Sequence, residues 1–220
     1  KGEIVQPLDE ESLKQSLTAL SKQGIEALTV SLMNAYANGS HEQRVRQIAN
    51  EVFSGIPISI SSEVVPEMYE YERTETTVVN SYIRPVVSTY IENLEAELNR
   101  RMSGMQLHIL RSDGGLASAQ AAKEAPVNLL MSGPAGGVSG AVWMARQAGY
   151  TDLLTFDMGG TSTDVALIQN GVAQTRRETR VADVTVRSSS IDVRTVGAGG
   201  GSIAYVPELT KALRVGPQSA

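Results

Sequence analysis

The residues of this chain best suited to chemistry are two aspartates that bracket a run of glycine and hydroxyl residues, Asp157-Met158-Gly159-Gly160-Thr161-Ser162-Thr163-Asp164. The apolar run Leu153-Leu154-Thr155-Phe156 reads as a strand that delivers the Asp157 carboxylate to its end. Gly159 and Gly160 permit a tight turn whose backbone can approach a ligand closely. Successive amides in such a turn form a nest for anions. Thr161 and Thr163 add hydroxyl donors for phosphate oxygens, and Asp164 begins the returning strand. Two carboxylates beside a phosphate nest suit a Mg²⁺ ion that keeps several of its waters. One of them can also orient an attacking water or hydroxyl. The competing reading is a plain hairpin with a Gly-Gly turn. A Walker loop is excluded because no Gly-Lys-Ser or Gly-Lys-Thr follows, and no Gly-x-Gly-x-x-Gly opens a helix.

Two more glycine clusters flank this turn. Ser132-Gly133-Pro134-Ala135-Gly136-Gly137-Val138-Ser139-Gly140-Ala141 places Gly133, Gly136 and Gly137 on a helix of small residues. Each helical glycine costs about 0.5–1 kcal/mol relative to alanine. Close approach of two helices at a hinge accounts for such a cost. So does a ligand at the helix N-terminus, and a merely weak helix is the third reading. Gly197-Ala198-Gly199-Gly200-Gly201-Ser202 lets the backbone contact a flat or anionic group, or forms a flexible loop. Ser112-Asp113-Gly114-Gly115 is a turn in which Asp113 either touches a substrate or nucleotide or simply closes the turn. Glycine-rich turns following successive strands in one region favour one shared ligand site.

The elements that must carry these turns are legible in outline. Asp9 caps a helix with the stripe Leu13, Leu17 and Leu20, ended by Gly24. Ile25 to Leu32 is a strand. Ser40 and Gln43 make a capping box for a helix bearing Val45, Ile48, Ala49 and Val52. Ile56 to Ser61 is a second strand, completing a strand–helix–strand unit of a parallel sheet. A helix then starts near Pro66 and is ended or kinked by Pro85. A second helix follows with the stripe Val87, Tyr90, Ile91, Leu94 and Leu98, and the pair marks a domain junction. Leu107 to Leu110 is a strand, Ala117 to Glu124 a short helix and Val127 to Met131 another strand. The small-residue helix runs to Ala148 with Gly149 as its C-cap. Val165 to Ile168 returns from the Gly-Gly turn, and Asn170-Gly171 closes a further hairpin.

A chain of 220 residues with 41% hydrophobic content can build a real core. Its net charge of −5 argues against nucleic acid as a partner. The absence of cysteine excludes disulfides, thiolate metal sites and cysteine nucleophiles within the chain, and is compatible with a reducing cytoplasm. No run approaches ~18 apolar residues, so no membrane span is expected. His41 and His108 belong to no metal or triad spacing. Glu63, Glu67, Glu70, Glu72 and Glu75 read as a solvated helix face. The start at Lys1-Gly2-Glu3 and the stop at Gln218-Ser219-Ala220 read as cuts in a longer protein.

The helix rich in Gly and Ala, the apolar strand and the Asp-x-Gly-Gly-Thr-x-x-Asp turn together resemble the connecting helix and second phosphate loop of the actin, sugar-kinase and chaperone ATPase superfamily. More narrowly, the turns at 112–115, 132–137, 156–164 and 196–202, in that order, with the closing Arg214-Val215-Gly216-Pro217, resemble the hydantoinase/oxoprolinase family, A subunit or A half. The resemblance runs from about Ser62 onward. It implies a ribonuclease-H-like α/β subdomain preceded by the α/β end of another domain, with 1–84 and 85–220 as the two regions. It implies ATP-driven opening of a cyclic amide such as 5-oxoproline or a hydantoin, in the cytoplasm, with a B subunit or fused B half as partner in a hetero-oligomer. Gly159, Gly160, Thr161 and Thr163 would hold phosphate, with Gly133, Gly136 and Gly137 alongside. Asp157 and Asp164 would serve Mg²⁺ or water. Gly197, Gly199, Gly200, Gly201 and Ser202 would lie near the nucleoside or its phosphates, and Ser112, Asp113, Gly114 and Gly115 near the substrate. The family's first Asp-x-Gly-Gly-Thr loop is not in this sequence. Ketone carboxylase subunits share these motifs and are the alternative reading. A nucleotide- or subunit-binding module without turnover is the other.

Overall fold

The first helix forms where its cap is written into the sequence. Asp9 accepts from the Ser12 amide at 3.0 Å and opens α1 (Glu10–Ser21). Strand β1 (Leu28–Val30), helix α2 (Ser40–Val52) and strand β2 (Ile58–Ile60) follow, and β1 pairs with β2 in parallel. Leu17, Val30, Val45, Ile48, Ala49, Phe53, Ile58 and Ile60 pack together as the core of this layer. The Ser40–Gln43 capping box does not form. Ser40 is already helical, and the cap position belongs to Gly39, where a Cβ would lie 2.7 Å from Ser62 Oγ. The structure, a computed structural model, describes residues 2–181 and 183–220.

After the short α3 (Ser61–Val64), one helix, α4 (Glu70–Arg101), continues for 32 residues. Two sequence expectations fail here. Pro66 precedes the helix rather than opening it, and Pro85 does not end the helix, so Val87 to Leu98 continue it. Proline removes one amide donor and costs about 3 kcal/mol, yet packing on both sides of that point outweighs it. Ahead of Pro85, Arg73, Thr76, Thr77, Asn80 and Ser81 are buried. Beyond it, Ile91 packs with Ala119 and Ala122. Burial pushes the Arg84 guanidinium below its usual range, and the carbonyls of Ile58 and Lys123 accept its hydrogen bonds. Four of the five glutamates of this region are ion-paired rather than merely solvated. Glu63 meets Arg46, Glu70 meets the fully buried Arg73, and Glu67 and Glu72 flank Arg187.

Strands β3 (His108–Leu110) and β4 (Leu116–Ser118) pair, and Ser118 caps α5 (Ala119–Glu124) through the Ala121 amide. The stretch expected as a strand at Val127 is instead the 3₁₀ turn Pro126–Leu129. Pro126 has no amide to give a ladder, and the Val127 amide donates to Asn80 of α4.

Helix α6 (Ser132–Gln147) leads into β5 (Leu153–Met158), β6 (Thr163–Gln169) and β7 (Val172–Ala173). Short strands follow: β8 (Thr175–Arg176), β9 (Thr179–Val181), β10 (Val184–Val186), β11 (Ser190–Ile191), β12 (Val193–Val196), β13 (Ser202–Tyr205) and β14 (Arg214–Ser219). The site sheet has the order β12-β6-β5, with β7 on β6, and every pair is antiparallel. Its inner face packs Ala166, Ile168 and Val193 against Ala135 and Val138 of α6. Asn170 and Gly171 both take positive φ in the β6–β7 turn. The contacts divide the chain into two units. One comprises Lys1–Ile109, Leu116–Leu130 and Arg177–Ser188; the other comprises Leu110–Gly115, Met131–Arg176 and Ser189–Ala220. All four glycine-rich turns belong to the second unit. Among the described residues, no helix is long and apolar enough to cross a membrane.

Candidate functional site

Side chains alternate across a strand, so register decides which residues share a face. Asp157 stands opposite Asp164, and Asp164 stands opposite Thr195 on β12. The three side chains therefore form one row across the sheet, on the face that carries Ala166 and Ile168. Directly opposed residues have Cβ atoms about 4.5–5.5 Å apart, which makes the two carboxylates immediate neighbours. Both line a cavity of about 260 Å³ together with Pro134, Gly137, Val138 and Leu153. A Cβ on Gly137 would lie 3.7 Å from Asp157 Oδ2, in ordinary contact. The first two turns of α6 thus border the carboxylate pair. The positive end of the helix dipole favours negative charge there.

The turn between the aspartates is built to present amides. Gly159 donates to the Ser162 carbonyl at 2.9 Å and closes it. Among the described residues, the amides of Gly160 and Thr161 donate to nothing. Both residues are exposed, and nothing lies within 4 Å of a Cβ position on Gly160. An exposed tight turn with unengaged amides is the geometry that an anion nest requires.

Thr163 differs from the sequence reading. It is buried, it faces away from Asp164, and its hydroxyl donates to the Ala198 carbonyl at 2.7 Å. Its proton is therefore not free for a phosphate oxygen. The glycine loop after β12 is likewise engaged internally. Gly200 donates to the Gly159 carbonyl at 2.9 Å and Gly201 to the Gly160 carbonyl at 2.7 Å. Gly199 donates to Ser202 Oγ at 2.8 Å. A Cβ on Gly199 would lie 2.5 Å from the Gly159 carbonyl oxygen, so glycine is required for the two loops to interlock. The amides of Gly199, Gly200 and Gly201 are thus engaged within the chain, whereas Ser202 Oγ accepts from Gly199 and keeps its own proton. Nothing lies within 4 Å of a Cβ position on Gly197.

In the Ser112–Gly115 turn the Ser112 and Asp113 side chains are engaged within the chain. Ser112 is buried, and its hydroxyl accepts from the Met131 amide at the head of α6. Asp113 is bonded to Arg111 and to the Gly115 amide. Gly114, at φ +84°, lies against Ser139 and Ile191. In α6, Gly136 has a packing reason, since its Cβ would lie 2.8 Å from Leu110 Cδ2. Gly133 has no such neighbour. Thr195 was not singled out in the sequence. Its only signal is its place just ahead of the glycine cluster, because its pairing with Asp164 depends on strand register.

Among the described residues, no three His, Asp or Glu side chains gather as a metal cage. A pair of carboxylates fits the kind of Mg²⁺ site that draws its remaining ligands from phosphates and water.

Known proteins are similar to this chain. The family description "Hydantoinase/oxoprolinase" matches residues 73–220, and its N-terminal region matches residues 1–53. Caprolactamase subunit alpha of Pseudomonas jessenii is 34% identical over 219 residues, all of this chain and 31% of the relative. The 5-oxoprolinase of Saccharomyces cerevisiae is 34% identical over 224 residues, all of this chain and 17% of the relative. The crystal structure of the ATP-dependent caprolactamase from P. jessenii superposes with a TM-score of 0.87 at 34% identity, covering 100% of this chain and 32% of that one. A nucleotide-free acetone carboxylase structure gives 0.76 at 30% identity, covering 98% and 31%. The chain thus spans about a third or less of the relatives it matches, and its fold is of their α/β ATPase-like type.

Proposed function

The chain belongs to the hydantoinase/oxoprolinase family, and from that premise we propose that it supplies the second phosphate loop of an ATP-dependent cyclic-amide hydrolase. The unengaged amides of Gly160 and Thr161, beside the opposed Asp157 and Asp164, carry this reading. In it, those amides and the Thr161 hydroxyl hold phosphate oxygens of ATP. Asp157 and Asp164 hold water in position, or hold Mg²⁺ through its waters. Such an ion, when bound, offsets the charge of the phosphates. The open space at the Cβ positions of Gly133 and Gly197 supports close approach of the nucleotide there. Gly137 leaves the cavity wall low beside Asp157.

The substrate is a cyclic amide of the 5-oxoproline or hydantoin kind. Phosphorylation of its amide oxygen by ATP makes the ring carbon a better electrophile. Water adds there, the C–N bond breaks with the nitrogen taking a proton to become the amine, and the acyl phosphate so formed is hydrolysed by a second water to carboxylate and phosphate. One relative is a subunit alpha, whereas the 5-oxoprolinase is a longer single chain, as the shares of 31% and 17% show. Both support a partner half, separate or fused. Dependence on ATP supports a cytoplasmic location.

The test uses the complete enzyme with its partner half. Asp157→Ala and Gly160→Val are expected to abolish substrate-dependent phosphate release from ATP. Full turnover in both variants overturns the reading. The acetone carboxylase likeness favours a second reading, activation of a ketone as its enol phosphate. Turnover that requires bicarbonate and a ketone, and ignores cyclic amides, selects it.

A further inference from the structure

We infer that Thr195 is a positioning residue for Asp164, an inference that rests on the phosphate-loop reading above. Its hydroxyl donates to Asp164 Oδ1 at 2.6 Å across the β6–β12 pair. On the other side Asp164 faces Asp157. The two carboxylates repel each other, and a free Asp164 would rotate about χ2 to relieve the repulsion. The Thr195 hydrogen bond holds one oxygen toward β12. It leaves Oδ2, which accepts no hydrogen bond among the described residues, for water or a cation's water shell. Thr195 itself contacts no reacting atom in this scheme. It acts through Asp164.

The same geometry separates this role from a structural one. Thr195 is exposed at a strand end, and its hydrogen bond lies at the surface. Such a bond contributes little to folding, because water replaces it in the unfolded chain. Valine is isosteric with threonine and keeps its preference for strand. Loss of the hydroxyl therefore affects the site while leaving the fold intact.

In the complete enzyme, Thr195→Val is expected to lower kcat for ATP hydrolysis by about tenfold, the scale of one charge-assisted hydrogen bond. Affinity for Mn²⁺ in the presence of ATP, read by electron paramagnetic resonance, is expected to weaken by a similar factor. The melting temperature stays at the wild-type value. Thr195→Ser restores both rate and Mn²⁺ affinity. Wild-type rate and affinity in Thr195→Val overturn the inference. So does a melting temperature that falls in step with activity in both variants. Asp164→Asn is the control for the underlying reading. If Asp164→Asn is inactive and Thr195→Val is not, only the positioning role fails. If Asp164→Asn is fully active, the phosphate-loop reading fails with it.

Discussion

Glycine carries opposite burdens at different positions around this site. At Gly199 a Cβ would lie 2.5 Å from the Gly159 oxygen and 2.8 Å from the Gly160 carbonyl carbon, both backbone atoms that cannot rotate aside. Gly199→Ala must push the Gly159-Gly160 turn away from the loop that braces it. We expect a loss of about 1–3 kcal/mol of stability, the range for overpacking, together with loss of ATP turnover. At Gly140, inside α6 and exposed, nothing lies within 4 Å of a Cβ position. Gly140→Ala is expected to stabilise by about 0.5–1 kcal/mol through the lower entropy of the unfolded chain. Urea denaturation of the two variants checks both signs. Equal destabilisation by both would show that the loops do not interlock as described. The sequence reading grouped these glycines by proximity in the chain. Only the backbone contacts separate those that brace from those that leave room.

At the scale of elements, what was legible follows from local chemistry, and what was not follows from distant partners. Asp9, the β5–β6 hairpin and the Asn170-Gly171 turn declare themselves through short-range rules, and the structure keeps all three. The turn at Pro126 does not, because its shape depends on Asn80, 47 residues earlier, accepting the Val127 amide. The tight Gly159-Gly160 turn was readable, whereas the hydrogen bonds its carbonyls accept from Gly200 and Gly201 required the path of a loop 40 residues on. Helix α4 is the clearest case of tertiary packing overriding a local breaker. Residue 85 would complete a hydrogen bond to the Ser81 carbonyl, and proline cannot. Since the helix continues regardless, Pro85→Ala is expected to add about 1–3 kcal/mol to stability by restoring that bond and removing the ring's clash. An unchanged or lower urea midpoint would mean that the Pro85 ring itself makes packing contacts that outweigh the missing bond.

At the scale of the molecule, chain order and spatial order diverge, and Arg187 shows how the divergence is held together. Residues Arg177–Ser188 belong with Lys1–Ile109 and Leu116–Leu130 in one unit. The link back to α4 spans 111 residues, from the Arg187 amide to the buried Thr76 hydroxyl oxygen at 2.8 Å. The Arg187 side chain, only 16% exposed, pairs with Glu178 at 2.9 Å, Glu72 at 3.6 Å and Glu67 at 3.9 Å. It also stacks over the Tyr69 ring at 5.0 Å. One cation thus serves three carboxylates drawn from separate stretches of chain. Removing it leaves them repelling one another, but their partial exposure lets water screen much of that charge. Arg187→Ala is therefore expected to cost about 1–3 kcal/mol, short of the ~3–5 kcal/mol of a fully buried pair. Arg187→Lys keeps the charge but loses the planar fork that reaches several carboxylates and the ring, so it should fall between alanine and wild type. Limited proteolysis of the alanine variant should cut first within residues 177–188, where the tie to α4 has been weakened. A urea midpoint unchanged in Arg187→Ala would mean that the Thr76 bond and the β9–β10 contacts hold the segment unaided.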